Sequence, residues 1–382
     1  MAGEAQPDHA GLRVLVLTAS IGAGHDLPAE VLAAELSEHG AEVTIADALR
    51  ESGPLVERLV LGGSKFGSRL ADAIFDFEYW LISRVAPVRR AASRLGELLT
   101  GRAILGLIER ERPDVIVSTY PGSTEVLGRL RRRGRLAVPV VAAITDLAAL
   151  RYWAHPGADL HLVIHPESIE EVREIAGPGA EVVTARGFDD PAFAEPLDRD
   201  AARRALDMPT GRLLVVVSGG GWGVGDLAGA VDIVLERDDA DALALCGTND
   251  DLRAALTERF AGRGDRVRVW GFTDRMPELL AAADALVHST AGLTVLEAIV
   301  RGCPPISYGW GRGHIRVNNR AYVRFGLAAV ARDRDELRAA LDRALVARPA
   351  PDPSFAGLPT AAELVLARFG GAGGGHEAAD LA

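Results

Sequence analysis

Twice in this chain, a nearly continuous run of apolar residues ends in a glycine-rich loop that opens onto a helical pattern. The first unit is LRVLVLT (12–18) followed by ASIGAGH (19–25), and the second is RLLVVVSGGGWGVGD (212–226). Continuous apolar runs are typical of strands buried on both faces of a parallel sheet, where strands alternate with helices. Each unit therefore predicts the start of its own doubly wound α/β domain.

The alternation of strands and helices continues after each start. Further strand candidates lie at 41–47, 114–120, 138–146, 159–165 and 180–185, and then at 241–247, 265–272, 284–289 and 303–309. A segment rich in Pro, Asp and Ala at 187–200 interrupts the rhythm and is the expected linker. The linker and the second glycine-rich start disfavour the alternative, a single (β/α)8 barrel.

We therefore predict an α/β fold with two Rossmann-like domains that face a cleft. The N-terminal domain spans 1–190 and the C-terminal domain spans 191–369, with a last helix that can pack back on the N-terminal domain. The low-complexity end of the chain, 370–382, is expected to be a flexible tail.

Composition excludes several classes of protein. The 382 residues are 48% hydrophobic and carry a formal net charge of −11, which fits a globular chain and argues against a general nucleic-acid binder. Lys65 is the only lysine, so the chain has no P-loop, and Cys246 and Cys303 are too few for a disulfide framework. Without a signal peptide or an apolar run long enough to span a membrane, the chain is expected to be cytoplasmic.

No metal site is expected. The sequence has no Asp-x-Asp motif that would hold a divalent cation on a nucleotide. His155, His161 and His165 are clustered, and we interpret them as packing residues rather than as metal ligands.

The loop SIGAGH (20–25) lies where open α/β sheets bind ligands, beyond the carboxyl end of a strand. Its glycines allow backbone amides to approach a ligand, and the helix N-terminus that follows favours negative charge. As a dinucleotide fingerprint it is incomplete, because Leu27 stands where the third glycine belongs. His25 is expected to project into the cleft and exchange a proton near neutral pH; the alternative is a histidine that only caps or packs the helix.

Two loops in the second half are candidates for a diphosphate site. Ser218–Gly225 has five glycines in eight residues, whose amides can form an anion-binding nest, although a merely flexible loop is the alternative. Ser289–Ala298 opens a helix, where Gly292 allows close approach and three hydroxyl side chains can donate to phosphate. In that helix Glu297 could accept two ribose hydroxyls. As a lone motif the segment could equally be a capped structural helix.

Together these motifs resemble the GT-B glycosyltransferases of the family that contains monogalactosyldiacylglycerol synthase, processive diacylglycerol glucosyltransferases and, more distantly, MurG. The resemblance covers roughly 12–330. Its anchors are SIGAGH (20–25), TDLAALRYWAHPGADLHLVI (145–164), GFDDPAF (187–193) and WGFTDRMPELLAAADALVHSTAGLTVLEAIVRGCPPI (270–306). The last anchor is the most specific, because its GF, MPELL, AAAD, GLT and EA elements keep the family's order and spacing.

The resemblance implies residue roles by position. Among the donor-binding positions, Glu297 would bind the ribose, and Phe272 and Thr273 would line the uracil pocket through their backbone. The full set of implied donor-binding residues is Gly219, Gly220, Gly221, Phe272, Thr273, Ser289, Thr290, Gly292, Leu293, Thr294, Glu297, His314 and Asn318. The implied acceptor-binding residues are Gly24, Trp153 and His155, and the candidate bases that remove the acceptor proton are His25 and Asp146.

Two departures from the family pattern bear on the donor sugar. The family's Lys-Pro-Gly-Gly is Ser-Thr-Ala-Gly here (289–292), and its Gly-Gln-Glu is Gly313-His314-Ile315. The family's Gln and Glu face hydroxyls of the donor sugar. His314 could replace one hydrogen bond, whereas Ile315 cannot, so the identity of the sugar stays open.

The resemblance implies an inverting, metal-independent hexosyltransferase that uses a UDP-sugar as donor and needs no cofactor. The implied acceptor is a hydroxyl of a lipid, diacylglycerol-like, or of another lipophilic molecule, and no nucleic acid is involved. Two alternatives remain open: a UDP-sugar 2-epimerase on the same fold, and a non-catalytic protein that binds a nucleotide sugar.

The segment 54–135 is expected to touch an anionic membrane surface, at the inner face of the cell membrane. Apolar and aromatic residues are dense between Pro54 and Arg90, and 84–135 holds twelve Arg against five Asp or Glu. RLRRRGR (129–135) is the densest basic run. The alternatives are a core helix pair for the aromatic part and a solvated helix end for the basic run.

Overall fold

The computed structural model describes residues 11–19, 23–54, 56, 58, 85–188, 191–290, 292–309, 311, 313–346, 348–350, 355 and 357–371, with the backbone alone at 23–25, 194, 313 and 314. The predicted tail at 370–382 lies outside the described residues from 372 onward.

Two six-stranded parallel sheets form the framework, one in each half of the chain. The strands of the first sheet are β1 (Arg13–Thr18), β2 (Glu42–Asp47), β3 (Val115–Ser118), β4 (Val140–Ile144), β5 (Leu160–Val163) and β6 (Val182–Thr184). Those of the second are β7 (Leu213–Ser218), β8 (Ala240–Leu245), β9 (Val267–Trp270), β10 (Ala285–His288), β11 (Pro305–Tyr308) and β12 (Ala329–Ala331). Their spatial orders are β2-β1-β3-β4-β5-β6 and β12-β11-β10-β7-β8-β9. The two-domain α/β prediction is confirmed, and two separate open sheets exclude the barrel.

Helices cover both sheets. In the first half they are α1 (Ala23–Glu38), α2 (Ala48–Glu51), α3 (Ala86–Glu111), α4 (Pro121–Arg132) and α5 (Ile169–Ala176). In the second half they are α6 (Arg199–Ala205), α7 (Leu227–Leu235), α8 (Asp250–Phe260), α9 (Met276–Ala282), α10 (Leu293–Val300), α11 (Gly313–Phe325), α12 (Arg334–Ala344) and α13 (Ala361–Phe369). Val115 to Val117 of β3 and Val140 to Ile144 of β4 are fully buried, which is why these strands read as unbroken apolar runs.

The predicted linker is packed against the C-terminal domain. Phe188 and Phe193 are buried, and the Arg301 guanidinium lies 5.4 Å from the centre of the Phe193 ring. Arg301 also donates to the carbonyl oxygens of Ala192 (2.6 Å) and Glu195 (2.5 Å). This part of the linker is therefore anchored, because two carbonyls and one aromatic ring hold it to the end of α10.

The last helix, α13, packs on α1 of the first half. Thr360 caps α13 through a capping box with Glu363, and the amide of Arg186 donates to the carbonyl of Pro359 at 2.8 Å. Burial against this helix raises the pKa of the Glu35 carboxyl on α1, although the Arg186 charge lowers it. The chain thus returns to the first domain after completing the second.

Asp284 fixes the start of β10, the strand that leads into the predicted diphosphate loop. Its carboxylate pairs with the fully buried Arg203 (2.7 Å) and with Arg199 (2.8 Å), and it accepts from the amide of Leu214 on β7. Buried charges of this kind persist only when they are paired and hydrogen-bonded. The network therefore holds β7 and β10 side by side, so that the loops after both strands emerge together.

Candidate active site

The loop that follows β4 contacts the loop that follows β10, so the two domains meet at the carboxyl ends of their sheets. Gly292, which precedes α10, has φ of +69°, and a Cβ there would lie 2.4 Å from the carbonyl oxygen of Thr145. A side chain at this position would overlap the opposite domain's backbone. Only glycine allows both the left-handed conformation and this approach.

Asp146 stands at this junction. Its Oδ2 accepts from the indole Nε1 of Trp153 at 3.0 Å, and its Oδ1 lies 3.6 Å from the position of a Cβ on Gly292. The carboxylate is half-buried. A candidate base is thus placed beside the N-terminus of a helix from the other domain, with its orientation fixed by a tryptophan.

Tyr322 and His165 complete the junction. The hydroxyl of Tyr322 accepts from the Gly292 amide at 2.9 Å, and burial raises the pKa of this phenol. Burial lowers the pKa of His165 to about 4, although a hydrogen bond with the Gly292 backbone and the Asp146 charge raise it. His165 is therefore neutral at neutral pH.

The glycine-rich loop after β7 is held by close backbone packing. A Cβ on Gly220, whose φ is +66°, would lie 2.6 Å from Cγ2 of Thr290, and one on Gly219 would lie 2.6 Å from the backbone of Gly223. The carbonyl of Gly221 accepts from the amide and hydroxyl of Thr248, at 2.8 and 2.9 Å. These contacts explain the glycines at 219 and 220 and bring the loop against Thr290, while the predicted diphosphate-binding role of the loop stays a prediction.

The segment after β10 is pre-organised by its neighbours. The Thr290 amide donates to Nδ1 of His288 at 3.3 Å, and burial lowers the pKa of that histidine to about 4, so the ring is neutral and can accept. The Ser289 hydroxyl donates to the carbonyl of Tyr308 at 3.1 Å. The Ser289 hydroxyl, one of the groups predicted to bind phosphate, therefore already makes a hydrogen bond within the fold. Helix α10 begins shortly afterwards at Leu293, and its second residue, Thr294, is half-buried.

The remaining donor-side candidates lie on two elements of the C-terminal domain. Glu297 is 7% exposed and lies one turn into α10. Phe272 follows β9 and is 66% exposed, and the Thr273 hydroxyl accepts from the Arg275 amide at 3.1 Å. Their binding roles stay predictions.

Trp153 and His155 are 2% and 8% exposed, so both lie inside the N-terminal domain. Nδ1 of His155 accepts from the Gly157 amide at 3.0 Å, and a Cβ on Gly128 would lie 2.1 Å from that nitrogen. Burial, reinforced by the charges of nearby arginines, lowers the pKa of His155 to about 4. The contacts described for these two residues orient Asp146 and fill the space under α4, and their acceptor-binding role stays a prediction.

The side chains of His25 and His314 lie outside the described residues, and Gly24 is described by its backbone. The backbone places Gly24 and His25 in the first turn of α1, after β1. Only β3 separates β1 from β4, which puts the ends of these strands about 10 Å apart. His25 and Asp146 therefore start from the same edge of the sheet.

Asn318 makes hydrogen bonds that join the two domains, and its implied donor-binding role stays a prediction. It is fully buried, and its Oδ1 accepts from the amides of Leu147 (3.0 Å) and Ala148 (3.1 Å) of the other domain. Sequence reasoning also missed Tyr322 and His165. Tyr322 follows Asn318 by four residues on α11, so helical spacing could have indicated that both side chains share one face.

The basic run at 129–135 is largely engaged in ion pairs. Arg129, Arg133 and Arg135 lie 2.9, 2.5 and 3.5 Å from the buried carboxylate of Glu97, and Arg131 lies 2.6 Å from Asp159. These pairs hold α4 to α3 and to the start of β5. The aromatic stretch at 59–84 lies outside the described residues.

Protein-family models match both halves of the chain. The monogalactosyldiacylglycerol (MGDG) synthase model matches residues 25–187, and the glycosyl transferases group 1 model matches 212–346. Among characterised proteins the chain is similar to a processive diacylglycerol beta-glucosyltransferase of Bacillus subtilis (strain 168), with 24% identity over 334 residues that cover 85% of each chain. Solved structures with a similar fold include the spinosyn rhamnosyltransferase SpnG (TM-score 0.60, 18% identity, 94% of this chain and 99% of that one). Acinetobacter baumannii MurG is also similar (TM-score 0.55, 16% identity, 94% and 99%).

Two open α/β domains that meet at their sheet ends, together with these matches, define a glycosyltransferase of the GT-B fold. The motif-based resemblance is confirmed in both halves, because the first matches the MGDG synthase model and the second matches the glycosyl transferases group 1 model. No helix among the described residues is both long and apolar enough to cross a bilayer.

Proposed function

We propose that this chain transfers a hexose from a UDP-sugar to a hydroxyl of a diacylglycerol-like lipid, with inversion at the anomeric carbon and without a metal ion. The observation that carries the proposal is the placement of the Asp146 carboxylate beside Gly292, at the N-terminus of α10. The MGDG synthase match and the diacylglycerol glucosyltransferase relative, aligned over 85% of the chain, favour a lipid acceptor.

The donor binds to the C-terminal domain in this proposal. The diphosphate lies between the loop after β7 and the start of α10, where first-turn amides and the helix dipole stabilise negative charge. That charge increases as the diphosphate leaves, so the same groups stabilise the transition state without a cation.

The acceptor hydroxyl gives its proton to Asp146 or to His25. Its oxygen then bonds to the anomeric carbon from the face opposite the diphosphate. The bond between the anomeric carbon and the diphosphate oxygen breaks, and UDP leaves with the electron pair. Contact between the loops after β4 and β10 excludes water from the reacting atoms, which limits hydrolysis of the donor.

We expect Glu297→Gln to raise the Kd for UDP by about 10- to 100-fold, because a hydrogen bond to a carboxylate contributes roughly 1.5–3 kcal/mol. Isothermal titration with UDP measures the effect. Glu258→Gln, an exposed glutamate on α8 of the same domain, is the matched control and keeps the wild-type Kd. An unchanged Kd in a folded Glu297→Gln protein would remove Glu297 from the ribose site.

We also propose that the enzyme works as a peripheral protein on the inner face of the cell membrane, through one face of α3. Leu95, Leu98 and Leu99 are 54%, 79% and 38% exposed, and helical spacing places them on one side. The exposed arginines of α3 include Arg94 and Arg102, which flank the leucines. Leucines that enter the acyl boundary and arginines that meet anionic headgroups are the features of an interfacial helix.

We expect Leu98→Ser to lower the partition coefficient of the protein onto phosphatidylglycerol vesicles by about tenfold, since burying a leucine side chain contributes roughly 1.5–3 kcal/mol. Flotation of protein with vesicles measures it. Val346→Ser, at a position 83% exposed elsewhere on the surface, is the control and keeps full binding. Equal binding of both variants, or no binding of the wild-type protein, would contradict a role for α3.

A donor-by-acceptor screen tests the proposed activity. The purified chain is incubated with UDP-glucose, UDP-galactose or UDP-N-acetylglucosamine, each with diacylglycerol in mixed micelles, with a soluble aglycone or with no acceptor. We expect glycolipid only with diacylglycerol. Conversion of the donor to its 2-epimer without acceptor would indicate an epimerase, and UDP-sugar binding without any transfer would indicate a non-catalytic protein.

A further inference from the structure

The loop between β4 and β5 begins at Thr145 and crosses to the C-terminal domain, where the buried side chain of Asn318 binds it. The Oδ1 of Asn318 accepts from the amides of Leu147 and Ala148, the two residues that follow Asp146 by one and two positions. Asn318 is fully buried, so the exchange of these bonds for bonds to water is impeded. One oxygen of α11 therefore sets the path of the chain directly after the candidate base.

The loop adopts a backbone conformation that it would not keep unaided. Ala149 has φ of +69°, which its Cβ disfavours, and it lies immediately after the residues bound by Asn318. On the other side, the Leu150 amide donates to Oε1 of Glu171 at 3.1 Å, and the Ser168 hydroxyl donates to the carbonyl of Leu147 at 3.0 Å. Bonds from both domains thus stabilise the strained segment.

A second contact from the same helix acts on the other side of the junction. Tyr322, one turn after Asn318 on α11, accepts from the Gly292 amide and is fully buried. Leu147 and Ala148 pack with Tyr322 and its neighbours in an apolar cluster that spans the two domains. The helix α11 consequently binds both the loop that carries Asp146 and the glycine that opens α10.

A cavity of about 600 Å³, lined by residues of both domains, adjoins these contacts at Leu147 and Ala148. Its wall includes Glu170 and Glu174 from α5 of the N-terminal domain and Arg320 and Arg324 from α11. The opposite charges of the two walls favour approach of the domains.

We propose that Asn318 is a positioning residue that latches the loop 145–150 to α11 and thereby sets Asp146 against the start of α10. This inference rests on the proposed transferase activity for its catalytic consequence, whereas the latch itself concerns the protein alone. Asn318 acts through the backbone next to Asp146 and not through the donor. The donor site, on α10 and the loop after β7, keeps its affinity for UDP when the latch is lost.

The test compares Asn318→Leu with Asn318→Asp and with Asn319→Leu. Leucine has a similar volume and no acceptor, while aspartate keeps an acceptor oxygen. Asn319 is also fully buried, and it accepts from the Ser307 hydroxyl (2.7 Å) within its own domain, so its leucine variant controls for the loss of a buried amide.

We expect Asn318→Leu to lower the protection of the Leu147 and Ala148 amides in hydrogen exchange by about tenfold or more and to lower kcat by about the same factor, with the Kd for UDP within threefold of wild type. Asn318→Asp recovers much of both losses, and Asn319→Leu leaves the exchange of residues 145–150 unchanged. Wild-type protection in Asn318→Leu, or an equal kcat loss in Asn319→Leu, would overturn the latch.

The proposed transferase activity and the proposed role of Asn318 can be disproved separately. If the wild-type chain makes no glycolipid, the proposed function fails, and hydrogen exchange still decides whether Asn318 holds the loop. If instead Asn318→Leu weakens binding of the UDP-sugar by tenfold or more with unchanged protection at 147 and 148, Asn318 contacts the donor sugar and the latch is wrong.

Discussion

Replacing Asp146 by asparagine is expected to lower kcat by about 10²- to 10⁴-fold while the Kd for UDP stays near the wild-type value, because a general base acts only as the acceptor proton leaves. The variant keeps the shape of the side chain and an oxygen for the Trp153 indole, whose Nε1 donates to Oδ2 at 3.0 Å. Single-turnover transfer to diacylglycerol measures the chemical step without product release.

Three further variants show whether the loss of kcat in Asp146→Asn comes from loss of the general base. Trp153→Phe removes the indole donor but keeps the carboxylate, and we expect a loss of about tenfold from imperfect orientation. Asp251→Asn, at an exposed aspartate of α8, keeps full activity. If His25→Ala abolishes turnover while Asp146→Asn loses less than tenfold, His25 is the base and Asp146 is its partner.

The second large effect is expected at Gly292. A Cβ there would lie 2.4 Å from the carbonyl oxygen of Thr145, well inside van der Waals contact, so Gly292→Ala pushes the loop after β4 away from α10. We expect kcat/KM to fall by about 100-fold or more, since small displacements of reacting groups cost this much. Steady-state kinetics with the lipid acceptor measures it.

Gly326→Ala is the matched control for Gly292→Ala. Gly326 has φ of +70°, almost the same as Gly292, but a Cβ there would meet nothing within 4 Å. Both alanines place a side chain at a positive φ, and only one of them collides with the opposite domain; the ψ of −111° at Gly292 adds backbone strain at that position. Equal losses in the two variants would mean that backbone strain, and not contact between the domains, accounts for the effect.

The sequence predicted the two sheets well because a strand that is buried on both faces is a continuous apolar run in the sequence. The buried strands β1 and β7 stand out as apolar runs, and their glycine loops follow directly. The strand β12 was missed because it has only three residues, two of them half-buried, and so forms no long apolar run. The start of α11 at Gly313 is hidden in the sequence because it lies among glycines, which disfavour a helix.

The site was harder to predict because its decisive contacts join distant parts of the chain. Asn318 and Ala148 are 170 residues apart in sequence, and nothing in either segment indicates that one binds the other. The ion pairs of the basic run also depend on a distant residue: the arginines at 129–135 are close together in sequence, yet Glu97, 32 residues upstream of the first of them, pairs with three of them.

The product formed by the wild-type chain tests the central claim most directly. The chain is incubated with diacylglycerol and, in separate reactions, with UDP-glucose, UDP-galactose or UDP-N-acetylglucosamine, and the lipid fraction is analysed by mass spectrometry and by the NMR coupling of the anomeric proton. The account predicts a glycosyl diacylglycerol with a β linkage from at least one of these donors, inverted relative to the α-linked donor. An α-linked product, or release of free or epimerised sugar without glycolipid, would contradict it.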